Sequence, residues 1–104
     1  MNAIPILRHS LNQTNRILVA TAQLFDLQPD DLRRRTNIPQ IVLPRQIAMY
    51  IIRGRLKLSY PMIGRMFNRK HHTTVLHSVE KIEKLRQTDA DIETAVKLIE
   101  EASR

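Results

Sequence analysis

The run Arg69-Lys70-His71-His72-Thr73-Thr74, with His77 three residues further on, concentrates the side chains of this 104-residue sequence that are able to do chemistry. Three imidazoles so close together raise metal coordination. However, two ligands on one helix need an i, i+4 placement, which these miss, and no carboxylate joins them in sequence. No metal or cofactor is expected. The acids Glu80, Glu83, Asp89, Asp91 and Glu93 follow, and paired carboxylates can serve a nuclease. On helices they fit exposed, salt-bridged faces and a cap better, so no enzymatic activity is expected. What the run does suit is a polyanion. Thr73 and Thr74 are short enough to let a helix start approach a base edge, where a Thr methyl packs on a thymine methyl and a hydroxyl bonds base or phosphate. Backbone N–H groups at a helix start favour phosphate. Arg45, Arg65, Arg69, Lys70 and Lys81 could add attraction to a phosphate backbone.

The distribution of charge agrees. Net charge is +7. From Leu32 to Arg86 there are thirteen Lys and Arg against two acids, Glu80 and Glu83, a balance of +11, whereas the flanks hold four bases and eight acids, a balance of −4. A basic block between mildly acidic ends points to nucleic acid, the commonest polyanion met by a small cytosolic protein.

The elements that must position these residues are helices. Only two glycines occur and aromatics make up 4% of the chain, so the core rests on Ile, Leu, Val, Met and Ala, with good helix formers between the breakers. Residues 1–11, with Pro5 and no clear period, read as a loose N-terminal arm or the frayed start of a helix, leaving 12–104 as a single domain. A first helix carries Ile17, Ala20, Leu24 and Leu27 on one stripe and ends near Asp26. Gln28 to Leu32 opens a short second helix, and Thr36 to Leu43 reads as a loop. Pro44 is placed to start a third helix, from Arg45 to about Arg55 with the stripe Ile47, Tyr50, Ile51, its end weakened by Gly54. Ser59 is the N-cap candidate of a short fourth helix anchored by Met62, Ile63, Met66 and Phe67. Asn68 to His71 is a turn, and the fifth helix, about His72 to Arg86, points Val75, Val79 and Ile82 inward. Thr88 with Asp91 resembles a capping box for a sixth, bearing Ile92, Val96 and Ile99. The expectation is an all-α fold of about six helices. Its fourth and fifth form a helix-turn-helix of the Trp-repressor-like type, the fifth being the recognition helix.

The segments PRQIAMYIIR and LSYPMIGRMFNRKHHTTVLHSVEKIEKL sharpen this reading. From about Ile17 to Leu85 the chain resembles the carboxy-terminal DNA-binding domain of the bacterial replication initiator DnaA, with HTTVLH highly specific to that family. The resemblance implies a domain that reads a nine-base-pair box in double-stranded DNA. It implies that Lys70, His72, Thr73 and Thr74, with His71 beside them, enter the major groove. It further implies that Arg45 and Gln46 hold phosphates and that Tyr60 and Pro61 begin a helix against the backbone. Arg35 matches a basic loop position, and Arg69 and Lys81 are added as phosphate candidates on charge and placement.

Three departures stand out. His71 replaces the family's usual Asp before His-Thr-Thr, and a cationic or donor-bearing imidazole does not replace that carboxylate as the acceptor of a bond from a base amino group. Asn37 aligns where a minor-groove arginine is common, although Arg33, Arg34 or Arg35 could reach there instead. Gly54-Arg55-Leu56 replaces the usual Glu-Leu-Thr. Binding with altered or weakened readout follows, in replication initiation or its regulation. The alternative is a regulator acting by protein contacts with DnaA or its inactivating factor, with the acidic sixth helix as contact surface.

The sequence contains no Gly-rich Lys-Ser/Thr phosphate loop, so these residues are not expected to hydrolyse ATP. It reads as a stand-alone relative of the domain or a fragment of a longer one, with the Met1 start leaning to the first. The chain has no cysteine, its apolar runs are too short to span a bilayer, and its start is unlike a secretory signal. A cytoplasmic, nucleoid-associated protein is expected, with no membrane or small-molecule partner.

Overall fold

The computed structural model describes residues 3 to 104, with side chains from Arg8 onward. The helices are α1 (Ala3–Leu24), a 3-10 turn (Pro29–Arg33), α2 (Pro39–Leu56), α3 (Tyr60–Met66), α4 (Thr73–Thr88) and α5 (Ala90–Ala102), with no strand among the described residues. The all-α expectation holds, and the short second helix is the 3-10 turn. Its start is closed in both directions, the Gln28 backbone N–H donating to Asp31 Oδ2 and the Asp31 N–H to the Gln28 carbonyl, each at 2.9 Å.

The middle of the fold is α2, which packs against every other helix and against the 3-10 turn. Its Ile41, Ile47, Ala48, Met49, Ile51 and Ile52 are all buried. A helix enclosed on most of its circumference shows no single apolar stripe. This explains why the narrow Ile47-Tyr50-Ile51 pattern understated it. Around α2 the core is completed by Ile17 of α1, Leu32, Ile63 of α3, Phe67, Val75 and Ile82 of α4, and Val96 and Ile99 of α5.

Several boundaries differ from the sequence expectations. Of the two readings for 1–11, a loose arm or a helix start, the structure has the helix from Ala3, while Met1 and Asn2 lie outside the described residues. Pro5 falls in the first turn, where a helix has no use for its N–H. The loop expected at 36–43 is shorter, because α2 begins at Pro39 and carries Pro44 inside it. The bond lost at Pro44 is the one to the Gln40 carbonyl, and Gln40 is exposed, where water can satisfy that group. The far end of α2 lies close to the expected Arg55, with Gly54 carried inside the helix. The helix runs on to Leu56 and closes at Lys57, left-handed with φ 54°, whose N–H donates to the Arg53 carbonyl at 3.0 Å. The capping box at Thr88 is not formed. Thr88 is the last residue of α4, and Asp89 caps α5 by accepting from the N–H groups of Asp91 and Ile92 at 3.0 and 3.4 Å. An aspartate cap serves because its carboxylate reaches the same free N–H groups and favours the positive end of the helix.

Arginines close the fold from behind. Arg55 donates to the carbonyls of Glu100 and Ser103 at 2.8 and 2.9 Å, satisfying the end of α5. Arg86 grips Glu93 with two bonds of 2.8 and 2.7 Å and donates to the Tyr50 hydroxyl at 2.9 Å, while that hydroxyl donates to Glu83. Helices α2, α4 and α5 are thereby joined at the rear of α4. The sharp α4–α5 corner rests on Asp89. Replacing Asp89 with Ala is expected to cost about 1 kcal/mol of stability, the usual worth of an N-cap, with Thr88→Ala nearly silent. Thermal unfolding followed by circular dichroism checks this, and the reverse order would put the cap back at Thr88.

Candidate nucleic-acid interface

Helices α3 and α4 meet through the six-residue turn 67–72, and local chemistry dictates its shape. Ser59 caps α3 as expected, its Oγ accepting from the Met62 N–H at 3.2 Å. At the other end the Asn68 N–H donates to the Arg65 carbonyl at 3.1 Å and the Arg69 N–H to the Gly64 carbonyl at 2.7 Å. Asn68 adopts a left-handed φ of 57° between them. This paired closure is the usual way to stop a helix sharply, and Asn tolerates the left-handed geometry better than most residues. Phe67, fully buried, pins the turn to the core.

The start of α4 is therefore held out from the body. Lys70, His71, His72, Thr73, Thr74 and His77 are all exposed, while Val75, Ser78 and Ile82 are buried on the opposite side. No side chain caps this helix start. His72 is the N-cap residue, and just before it the His71 carbonyl accepts from the Thr74 N–H at 3.3 Å.

The expected phosphate residues take up different positions. Lys81 is exposed and donates to Gln46 Oε1 at 3.0 Å, bringing the two onto one surface of α4 and α2. Pro61 is exposed in the first turn of α3; the half-buried Tyr60 beside it lies under the Arg53 guanidinium, 4.4 Å from the ring centroid. Arg35 is exposed. Arg69 is half-buried and donates to the Arg34 carbonyl at 3.0 Å. Arg45 departs most from expectation. It lies in the second turn of α2, only 5% exposed, and donates through Nη1 to the Arg34 carbonyl at 3.0 Å and through Nη2 to the Thr36 carbonyl at 3.2 Å. Burial, and then the neighbouring positive charge of Arg69, push its pKa down from 12.5 to about 10, so it stays protonated at neutral pH. Burial and then the charge of Arg35 lower Arg69 likewise.

These contacts fold the 34–38 loop back against the helix-turn-helix. Between loop and turn lies an open cleft of about 410 Å³, lined by Arg35, Thr36, Asn37, Asn68, Arg69, Lys70, His71 and Thr74, with no acid among them. Sequence reasoning missed Asn68 as a lining residue. Its only signal was an Asn in the turn. Sequence reasoning also overstated the available charge, since Arg45, Arg53, Arg55 and Arg86 are all engaged with protein groups. Arg34, Arg35, Arg65, Lys70, Lys81 and Lys84 remain exposed.

Residues 14–82 match the family model described as the bacterial DnaA protein helix-turn-helix. The chain belongs to that family. It is 45% identical over 84 residues to the chromosomal replication initiator protein DnaA of Lactobacillus acidophilus, covering 81% of this chain and 18% of the relative. The initiator of Thermus thermophilus is 35% identical over 86 residues, 83% of this chain and 20% of its own. That of Geobacter sulfurreducens is 41% identical over 75 residues, 72% and 17% respectively. The chain thus spans about a fifth of the length of these curated relatives. The matched stretch contains the buried core of α1 to α4 and the whole exposed start of α4, so the DnaA helix-turn-helix accounts for both.

Among the described residues there is no cluster of three His, Cys, Asp or Glu side chains able to hold a metal ion. No described helix is long and apolar enough to cross a membrane. The uncapped start of α4 has a measurable consequence. His71→Asp, one residue before the N-cap, is expected to bring a carboxylate to the uncapped first-turn N–H groups and favourable charge to the helix N-terminus, about 1 kcal/mol or roughly 4 to 8 °C in melting temperature for a domain of this size. A melting scan that shows no rise would mean that a carboxylate at 71 does not reach the first-turn N–H groups.

Proposed function

We propose that the chain binds double-stranded DNA, with the start of α4 in the major groove and the phosphate backbone held by the surrounding basic surface. The observation that carries this reading is the protruding start of α4, uncapped, exposed and flanked by a basic cleft without an acid. Family membership supports it and makes DnaA-box-like sites the natural targets, in replication initiation or its regulation. Lys70, His71, His72, Thr73 and Thr74 are the base-reading residues. Arg35, Arg69, Lys81, Gln46, Tyr60 and Pro61 lie along the strands. With His71 in place of an acceptor carboxylate, one base pair is read differently or more weakly than in most of the family.

The protein-contact alternative would use α5. Its stripe Ile92, Val96 and Ile99 is buried in the core, which leaves an acidic outer surface and the single half-exposed Leu98. DNA binding is the better supported of the two.

Titration of the protein into labelled duplexes with and without the family box, at several salt concentrations, tests the proposal. For roughly six neutralised phosphates the log-log salt slope should lie near −5. A flat response, or no binding at about 50 mM salt, removes the DNA reading; capture of DnaA or its inactivating factor by the same protein would then favour the alternative. Thr73→Ala with His72→Ala should lower discrimination by about 1 to 3 kcal/mol at one position of the site while leaving most total affinity. Unchanged discrimination in a folded variant would show that α4 does not read sequence. His71→Asp should sharpen preference for the box over a scrambled duplex.

A further inference from the structure

One carbonyl group, that of Arg34, accepts from two guanidinium groups at once: Arg45 Nη1 from α2 and Arg69 Nη2 from the helix-turn-helix turn, each at 3.0 Å. The second Nη of Arg45 holds the next carbonyl but one, Thr36, at 3.2 Å. Arg45 is the most deeply buried charged side chain among the described residues, and no carboxylate pairs with it. A buried cation satisfied only by carbonyls is a costly device for simple packing. What it achieves here, together with Arg69, is to tie α2 and the recognition turn to one point of the 34–38 loop. The cleft it closes off has Arg35, Asn37 and the loop on one wall, and Asn68, Lys70 and Thr74 on the other.

We propose that Arg45 is a positioning residue: through the Arg34 carbonyl it fixes the 34–38 loop against the recognition turn, so that the cleft between them is preset to receive one sugar-phosphate strand of a duplex. This rests on the DNA-binding reading above and departs from the phosphate contact expected for Arg45. The strand is gripped by Arg35 and Lys70 on opposite walls, and Arg45 acts only through the loop. Fixing the loop before binding spares the entropy of ordering it afterwards.

A charge contact and a tether predict different behaviour on substitution. Lysine keeps the charge and the aliphatic stem but cannot bridge two carbonyls in a fixed fork. Arg45→Lys should therefore behave like Arg45→Met, each lowering duplex affinity about tenfold, in protein shown to be folded by circular dichroism. In the free protein, exchange of the Ile38 amide, which donates to Thr36 Oγ1 at 3.2 Å, should quicken several-fold in both variants. In a double-mutant cycle, Arg35→Ala should cost much less in the Arg45→Lys background than in wild type, because the loop is already loose. Lys84→Ala, on the outer side of α4, should cost the same in both. Wild-type affinity in Arg45→Lys, multiplicative losses with Arg35→Ala, or unaltered Ile38 exchange would each overturn the positioning role while leaving DNA binding intact. A wild type without salt-dependent duplex binding would overturn both. Should Arg45→Met fail to fold, the lysine variant alone carries the comparison.

Discussion

The enclosure of α2 is the constraint from which the rest of the architecture follows. In a chain with four aromatic residues, Phe67 alone brings a ring fully into the core. Burial must otherwise come from many aliphatic contacts around one central element. Ile47, Ala48, Met49 and Ile52 meet neighbours on several sides, and each of the other helices is oriented by the part of α2 it covers. Helix α4 covers a long part of it, which is why its outward side can be devoted to polar and basic residues without loss to the core. The arginines at the edges of α2 then complete the arrangement. Arg55 satisfies the end of α5, Arg53 stacks on Tyr60, and Arg45 holds the loop.

How much of this was legible in the sequence depended on whether a residue's role is local. The exposed start of α4, the Ser59 cap and the end of α1 near Asp26 follow from short-range rules, and the structure has all three. The inward Ile92, Val96 and Ile99 of α5 were readable from period alone. The start of α2 was not, because the second proline of a pair looks like a helix start whenever the first is taken for a loop residue. Only packing reveals that Pro44 is carried inside. The extension of α1 to Ala3 was hidden in the same way by Pro5.

The candidate site was legible in its residue types and less so in their division of labour. A count of thirteen basic residues could not separate those facing solvent from those bonded to carbonyls, because an arginine's partner is often a backbone group far away in sequence. Arg45 meets carbonyls nine and eleven residues before it, and Arg55 meets groups more than forty residues after it. Neither relation leaves a trace in composition or period. The resemblance to the DnaA family singles out residues of this surface, but a residue's counterpart in a family does not reveal which neighbours it bonds in this chain.

The separation of charge between the two sides bears on time as well as affinity. The start of α4, the turn before it and the 34–38 loop carry bases and no acid, whereas the acids lie on α5 and its cap, on the 3-10 turn, at the end of α1 and on the later turns of α4. Such a distribution places the positive side of the molecule at the start of α4. In the field of a polyanion the domain is turned by torque while still in free diffusion, and it arrives with its basic side leading. Productive encounters then become a larger share of all collisions, so that raising the ionic strength slows arrival as well as hastening departure.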